Sequence, residues 1–438
     1  MKKPLLVYSN KDTKWATGEF LNEQKVDVHI NINKAIKDQK IFGFGGAFTD
    51  AATISYLSLD KSKRKEYLNA YFSKDGLGYT LGRYPIMSTD FSEHSYEYIT
   101  KEGGIDSFDI STDKDRINFV KEALSLCPDM WLTAVPWSPC SFMKDNGEQA
   151  HGGRLLKEYY SLWAEVIAKT VKELDKQGIK VSCLSTQNEP LAKQTWESCI
   201  YTSEEEAIFL KDYLIPTVRE YGYKDMSFMV WDHNRDLMYQ RTKEVLSYMV
   251  NDQNIFGVAY HWYDRNCFEE VKKTHQEWPH LHILLTECCV ELLCDDNSGL
   301  GSWENGLRYG INIIKDLNNG SEGYIDWNLS LFDNGGPNHV GNFCEAPLMI
   351  NKELKNIKYM PSYYVIGHFS KYLRKGDTRI EATSDDKDVL ATAFVENNGL
   401  TKIVIISENK QAKIVETKVD GRCYFFKLKP SSIITFII

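Results

Sequence analysis

Val181-Ser182-Cys183-Leu184-Ser185-Thr186-Gln187-Asn188-Glu189-Pro190 is an apolar-leaning run that stops at an amide, a carboxylate and a proline. The run has strand length, and a proline cannot extend a hydrogen-bonded ladder, so Glu189 is offered at a strand tip. Seven other stretches have the same form: Phe42 to Phe48, Gly78 to Tyr84, Met130 to Trp137, Met226 to Trp231, Phe256 to Trp262, His282 to Glu287 and Tyr324 to Leu329. Longer amphipathic segments separate them, with helices expected at Leu155 to Lys176 and Glu204 to Tyr221. Eight strands alternating with helices predict an α/β fold, the (β/α)8 TIM barrel, whose chemistry gathers at the C-terminal ends of its strands.

The residues at those ends are Asp50, Arg83, Trp137, Asn188 with Glu189, Asp232-His233-Asn234, His261-Trp262-Tyr263, Glu287 and Trp327-Asn328. They describe a polar, aromatic mouth with two glutamates. Outside the barrel the texture changes. Alternation puts Val26, Val28, Ile30 and Ile32 on one face of an N-terminal strand. Beyond Tyr364 to Leu373, read as the last barrel helix, come the β-rich segments Val389 to Val395, Lys402 to Ser407, Cys423 to Leu428 and Ile433 to Ile438. The predicted division is a catalytic barrel over 42–373 and a β-sandwich built from 1–41 and 374–438. The glycines of Ile41 to Asp50 lack the spacing of a phosphate-binding loop.

At 438 residues with 42% hydrophobic side chains, the chain is long enough for one large core and a satellite. A net charge of −9 offers no basic face to a phosphate backbone, which argues against nucleic acid. Twenty-five Tyr and ten Trp supply more flat amphipathic surface than a core needs, and such surface suits sugar rings. The apolar part of the N-terminus, Pro4 to Tyr8, is shorter than the roughly 7–15 residues of an export signal. No run approaches the roughly 20 apolar residues of a membrane span. A cytoplasmic enzyme with reduced thiols is therefore expected, since the ten cysteines show no paired CxxC spacing.

Glu189 ends the fourth predicted strand and Glu287 the seventh, positions that face each other across a barrel mouth. Either glutamate alone reads more simply as a solvated or ion-paired strand end. Together they fit a retaining glycosidase, whose two carboxyl groups lie about 5–5.5 Å apart, one attacking the anomeric carbon and the other protonating the leaving oxygen. Charge on the attacking group raises the pKa of its partner and keeps the partner protonated as the acid. Asn188, beside the acid, is placed to donate to a sugar 2-hydroxyl, and Arg83 to hold the nucleophile ionised. His275, His280 and His282 precede Glu287, but this spacing is weak evidence of a metal, and none is expected.

Several stretches together resemble glycoside hydrolase family 30, the family of lysosomal glucosylceramidase and its bacterial relatives. They are Phe42 to Ala52 (FGFGGAFTDAA), Gly82 to Ser92 (GRYPIMSTDFS), Val135 to Asn146 (VPWSPCSFMKDN), Thr186 to Pro190 (TQNEP), His261 to Tyr263 (HWY), Thr286-Glu287 and Asp326 to Asn342 (DWNLSLFDNGGPNHVGN). The resemblance implies Glu189 as acid/base and Glu287 as nucleophile, with no cofactor. It implies that Asp90, Trp137, Asn188, Trp327 and Asn342 contact the non-reducing sugar, with Arg83, His261 and Tyr263 supporting the carboxylates. It also implies a β-sandwich built from both chain termini. His339 stands where lysosomal members carry Trp, and Val340 to Pro347 looks more like the bacterial branch, which argues against a sphingolipid aglycone. The expected lack of an export signal argues against polymers and for small imported β-glycosides. The expected activity is that of a retaining exo-β-glycosidase on β-glucosides. The alternatives are a β-1,6-glucanase or a β-xylosidase or β-fucosidase of the same family, and a non-catalytic sugar-binding protein, which would not need two opposed carboxylates.

Overall fold

The computed structural model describes residues 4–249, 255–264, 266–291 and 300–438. Eight parallel strands close into a barrel: β1 Gly43–Ala47, β2 Leu81–Ile86, β3 Trp131–Pro136, β4 Val181–Ser185, β5 Ser227–Asn234, β6 Ile255–His261, β7 His282–Glu287 and β8 Gly323–Asp326. Each coincides with one of the eight expected runs. The ring closes between β8 and β1, where Gly323 lies opposite Gly43 and Asp326 opposite Gly46. On its other side β1 meets β2 through bare backbone, because a Cβ on Gly45 would fall 2.1 Å from the carbonyl oxygen of Leu81.

The strands read as continuous apolar runs because both faces are covered, the inner by other strands and the outer by helices. Inside sit Leu81, Cys183, Met229, Ala259, Leu284 and Ile325. Outside, the helix Tyr160–Lys176 buries Trp163, Ile167, Val171 and Leu174, an i, i+4, i+8, i+11 stripe. That helix begins five residues later than the expected Leu155, which instead forms a bridge with Lys144. The helix expected over Glu204 to Tyr221 starts on a Thr202–Glu205 capping box and widens into a π-turn at Phe209–Leu214. Pro216, with no N–H to give, accounts for the widening.

Both termini enter one sheet of nine strands. Its order is Ala16–Thr17, Leu5–Ser9, Ser432–Ile437, Thr401–Ser407, Val389–Val395, Thr378–Ser384, Val28–Lys40, Lys413–Val419 and Arg422–Leu428. Phe426 and Leu428 from one end share a core with Leu6, Ile434 and Phe436 from the other, so the sheet folds over on itself as a sandwich. Val28, Ile30 and Ile32 point into this core as expected, whereas Val26 lies before the strand and is half-buried. The strand Lys413–Val419 was not legible in the sequence, where its lysines and glutamate mask a short alternation.

The strand Thr401–Ser407 is buried on both faces and joins the two parts of the molecule. Ile403 and Ile405 fill the sandwich, while Val404 and Ile406 pack with the barrel's helices. The indole of Trp303 donates to the Ser431 carbonyl at 2.6 Å across the same seam. Among the described residues, no helix is long and apolar enough to cross a membrane.

Candidate active site

Two departures from regular strand geometry aim the site. At the end of β5 the register shifts between Trp231 and His233, and both Trp231 and Asp232 take left-handed backbone angles, φ 77° and 52°. Glu189, just beyond β4, is also left-handed at φ 47°, and its N–H donates to the Asp232 carbonyl at 2.9 Å. Non-glycine residues in this region cost of order 1–3 kcal/mol each and persist where the surroundings hold them. The contacts here hold them: Asp232 is fully buried, and its carboxylate accepts from Arg83 Nη2 at 3.0 Å, His261 Nε2 at 3.1 Å and Thr286 Oγ1 at 2.5 Å.

Arg83, at 0% exposure, is the hub. Its Nη1 donates to Glu287 Oε2, and its Nη2 donates to Asn188 Oδ1 at 2.8 Å as well as to Asp232. The guanidinium lies 4.7 Å from the ring centroid of Trp137 and 5.5 Å from that of Trp327. Those indoles stack on each other at 4.9 Å. Because Arg83 takes the Asn188 oxygen, the NH2 of that amide is left for the cavity. Glu287 receives a second donor, the Tyr263 hydroxyl, at 3.0 Å to Oε1.

Glu189 is held by histidine instead. His261 Nδ1 lies 3.0 Å from Glu189 Oε1, while its Nε2 faces Asp232. With an acceptor on each side, both ring nitrogens donate and the imidazole is a cation. Burial works against that charge, but Glu287, Asp232 and Glu189 outweigh it and raise His261 to about 9. Glu189 feels the reverse: burial pushes it up, and the charges of His233 and His261 bring it down to about 2. Burial pushes Glu287 above the usual carboxylate range, against the pull of His261 and Arg83. The acidic proton of the resting site therefore sits on the imidazole side of the Glu189–His261 hydrogen bond, one step from the carboxyl expected to use it. The proton belongs to the pair.

The carboxylates of Glu189 and Glu287 and the ring of His261 offer atoms all within 4.8 Å of one another. Such a trio has the donors for a metal ion, but Arg83 and the charged His261 already supply the positive charge between the acids. The expected site residues converge on one cavity of about 220 Å³, lined by Asp90, Trp137, Asn188, Glu189, Tyr263, Glu287, Trp327 and Asn342. Arg83 and His261, expected among the substrate-binding residues as supports of the carboxylates, stand behind the cavity wall. Both are wholly buried, do not line the cavity, and reach it through the side chains they hold, the carboxylates and, for Arg83, the Asn188 amide. Asp90 accepts from Asn342 Nδ2 at 3.0 Å and Asn338 Nδ2 at 3.3 Å, and burial pushes its carboxyl well up.

Gln194, Trp196, His233 and Asn234 also line the cavity, with His233 Nδ1 3.6 Å from Glu189 Oε1. Sequence reading missed Gln194, Trp196, Asn338 and the bracing role of Asp232. The Asp-His-Asn triplet at a strand end marked Asp232, but only the bulge turns its carboxylate inward. Of the histidines before Glu287, His275 bonds Asp38 at 2.7 Å, His282 bonds Glu322, and His280 is exposed.

Three comparisons meet this geometry. The Glycosyl hydrolase family 30 TIM-barrel domain matches residues 41–373. The crystal structure of SrfJ from Salmonella typhimurium is 32% identical and superposes with a TM-score of 0.94, covering 99% of each chain. An endo-β1,6-glucanase structure is 26% identical with a TM-score of 0.86, covering 99% of this chain and 98% of its own. Lysosomal acid glucosylceramidase of Mus musculus is 28% identical over 86% of this chain and 76% of its own.

Proposed function

The chain belongs to glycosyl hydrolase family 30, and from that premise we propose that it is a retaining exo-β-glycosidase acting on β-glucosides. The observation that carries this reading is the approach of Glu189 and Glu287, with oxygens within 4.8 Å. That is near the about 5–5.5 Å of retaining enzymes and well inside the about 6.5–9.5 Å that leaves room for an inverting water.

In this reading Glu287 attacks the anomeric carbon to form a glycosyl ester, and Glu189 protonates the departing oxygen. Arg83 and Tyr263 both donate to Glu287 and favour its ionised form. A bound sugar expels water, which disfavours the charged Glu189–His261 pair and returns its proton to Glu189. Neutral His261 then keeps Glu189 ready to take a proton from the water that cleaves the ester. Asp90, Asn188 and Asn342 supply the polar groups for ring hydroxyls, and the Trp137–Trp327 stack supplies an apolar wall.

A cavity of about 220 Å³ is smaller than the about 300–1,000 Å³ of pockets for drug-sized ligands, which favours one sugar ring and exo action. Gln194, Trp196 and Asn234 add polar and aromatic surface to the same cavity, suited to a second sugar as leaving group. The likeness to an endo-β1,6-glucanase favours β-1,6-linked glucan as a second reading. Proton NMR of the first-released sugar from an aryl β-glucoside tests retention: the β-anomer is expected, and the α-anomer would overturn the mechanism. A β-1,6-linked glucopentaose separates the two modes, since exo action releases glucose from the outset and endo action releases di- and trisaccharides.

A further inference from the structure

Two thiols in the cavity wall take no part in that chemistry. Cys289 and Cys344 both line the cavity, at 2% and 1% exposure, and their Sγ atoms are 3.1 Å apart. A disulfide bond is about 2.03–2.05 Å long, so about 1 Å of closure joins them. The backbones that carry them are already paired, with Val290 opposite Glu345 and Glu291 opposite Cys344. Each sulfur also touches a residue that faces the substrate. Cys289 Sγ is 3.4 Å from the Tyr263 hydroxyl that donates to Glu287. Cys344 Sγ is 3.8 Å from the carbonyl of Asn342, whose side chain donates to Asp90.

We propose that Cys289 and Cys344 are a redox modification site, closing to a reversible disulfide when a small peroxide enters through the cavity. One thiolate attacks a peroxide oxygen; the O–O bond breaks, hydroxide leaves and takes up a proton, and the sulfur becomes a sulfenic acid. The second sulfur attacks that sulfenic sulfur; the S–S bond forms, the S–O bond breaks and water leaves. Two thiols and one hydrogen peroxide give one disulfide and two waters, with two electrons passing from sulfur to oxygen. A dithiol reverses the change by exchange.

Cys344 attacks first. The hydrogen bond from Cys289 favours its thiolate, although burial still holds it above its ordinary value, and burial lifts Cys289 further. The reaction therefore quickens as pH rises. Closure draws the Cys289 sulfur away from its contact with Tyr263, loosening the hydroxyl that holds Glu287. A hydrogen bond to a charged group carries enough free energy that kcat/KM is expected to fall about tenfold.

The test treats the full chain with hydrogen peroxide, maps cross-linked peptides by mass spectrometry and follows aryl β-glucoside hydrolysis before and after dithiothreitol. A peptide joining Cys289 to Cys344, a loss near tenfold and recovery on reduction are expected. An iminosugar that fills the cavity should block the cross-link. Cys344→Ala and Cys289→Ser, each referred to its own activity before treatment, should resist peroxide. Absence of the 289–344 peptide, a cross-link without loss, or equal loss in both variants would overturn the proposal. The activity arm rests on the glycosidase reading and the mapping arm does not. A correct cross-link in a chain that never turned over the glucoside would support the redox site and count against that reading alone.

Discussion

His261 and His368 are both at 0% exposure, and the molecule treats them oppositely. His261, in the barrel mouth, lies between the carboxylates of Asp232 and Glu189 and is raised to about 9. His368, at the seam between barrel and sandwich, lies between two hydroxyls, Thr435 Oγ1 and Ser9 Oγ, each at 2.8 Å. The Thr435 hydroxyl donates to the His368 carbonyl, so it accepts from Nδ1, and Nε2 takes the Ser9 proton. Nothing there offsets the cost of charge, and burial lowers His368 to about 3. Burial alone makes a histidine neutral; burial among carboxylates makes it a cation. The mouth is thus a place where the fold holds charge for chemistry, and the seam is a place where it excludes charge for cohesion.

If that contrast is right, mutations in the two regions should separate activity from stability. The largest effect belongs to Glu287→Gln, which keeps an acceptor for Arg83 and removes the proposed nucleophile. It should lower kcat/KM by about 10⁴ or more, with the melting temperature nearly unchanged. Survival of more than a hundredth of the activity would break the assignment. The mirror experiment is Phe436→Ala. Phe436 is fully buried in the sandwich beside Phe20 and Tyr424, and its truncation should cost about 3–5 kcal/mol in urea unfolding. At 20 °C its kcat/KM should stay within about twofold of the parent if the sandwich only braces the barrel.

The same contrast explains what could be read in the sequence. All eight barrel strands were legible, because strands covered on both faces are apolar throughout and end abruptly in polar residues, as Leu284-Leu285-Thr286-Glu287 does. Glu189 and Glu287 were legible as a pair because strand order places their tips. Asp232 was visible at a tip but not as a brace, since strict alternation cannot foretell a bulge with two left-handed residues. The approach of Cys289 to Cys344 depends on two strands of two residues each, too short to leave a periodic trace. In the sandwich, Lys413–Val419 escaped notice because three of its seven residues are charged and only Val415, Thr417 and Val419 turn inward.

Asp232→Asn sharpens the comparison inside the mouth, because it makes the neighbourhood of His261 more like that of His368. With one carboxylate gone, His261 should lose its proton at a lower pH and Arg83 should hold Glu287 less firmly. A fall in kcat/KM of about 10² is expected, with the alkaline limb of its pH profile moved below that of the parent. The limb is the deciding readout, since a merely loosened site would lower activity without shifting it.

The smallest effect is a slope. His368 binds fewer protons folded than unfolded between its ordinary 6.5 and about 3, so its stabilisation is complete above pH 6.5 and drains away as pH falls. His261 binds more protons folded than unfolded between 6.5 and about 9, so its contribution is complete below pH 6.5 and drains away as pH rises. Each contributes at most one proton, or about 1.4 kcal/mol per pH unit. From pH 5 to 6.5 the parent's slope combines His368 with His233, which burial also lowers, and with buried carboxylates such as Asp90, which burial raises and which act in the opposite sense. The His368 share is therefore the difference between parent and variant in urea unfolding. His368→Phe should change the acid slope by up to about 1.4 kcal/mol per pH unit and leave the alkaline one, and Asp232→Asn should do the reverse. An acid slope identical in His368→Phe and the parent would mean that the seam does not keep its histidine neutral, and the contrast between the two regions would fail at its simpler end.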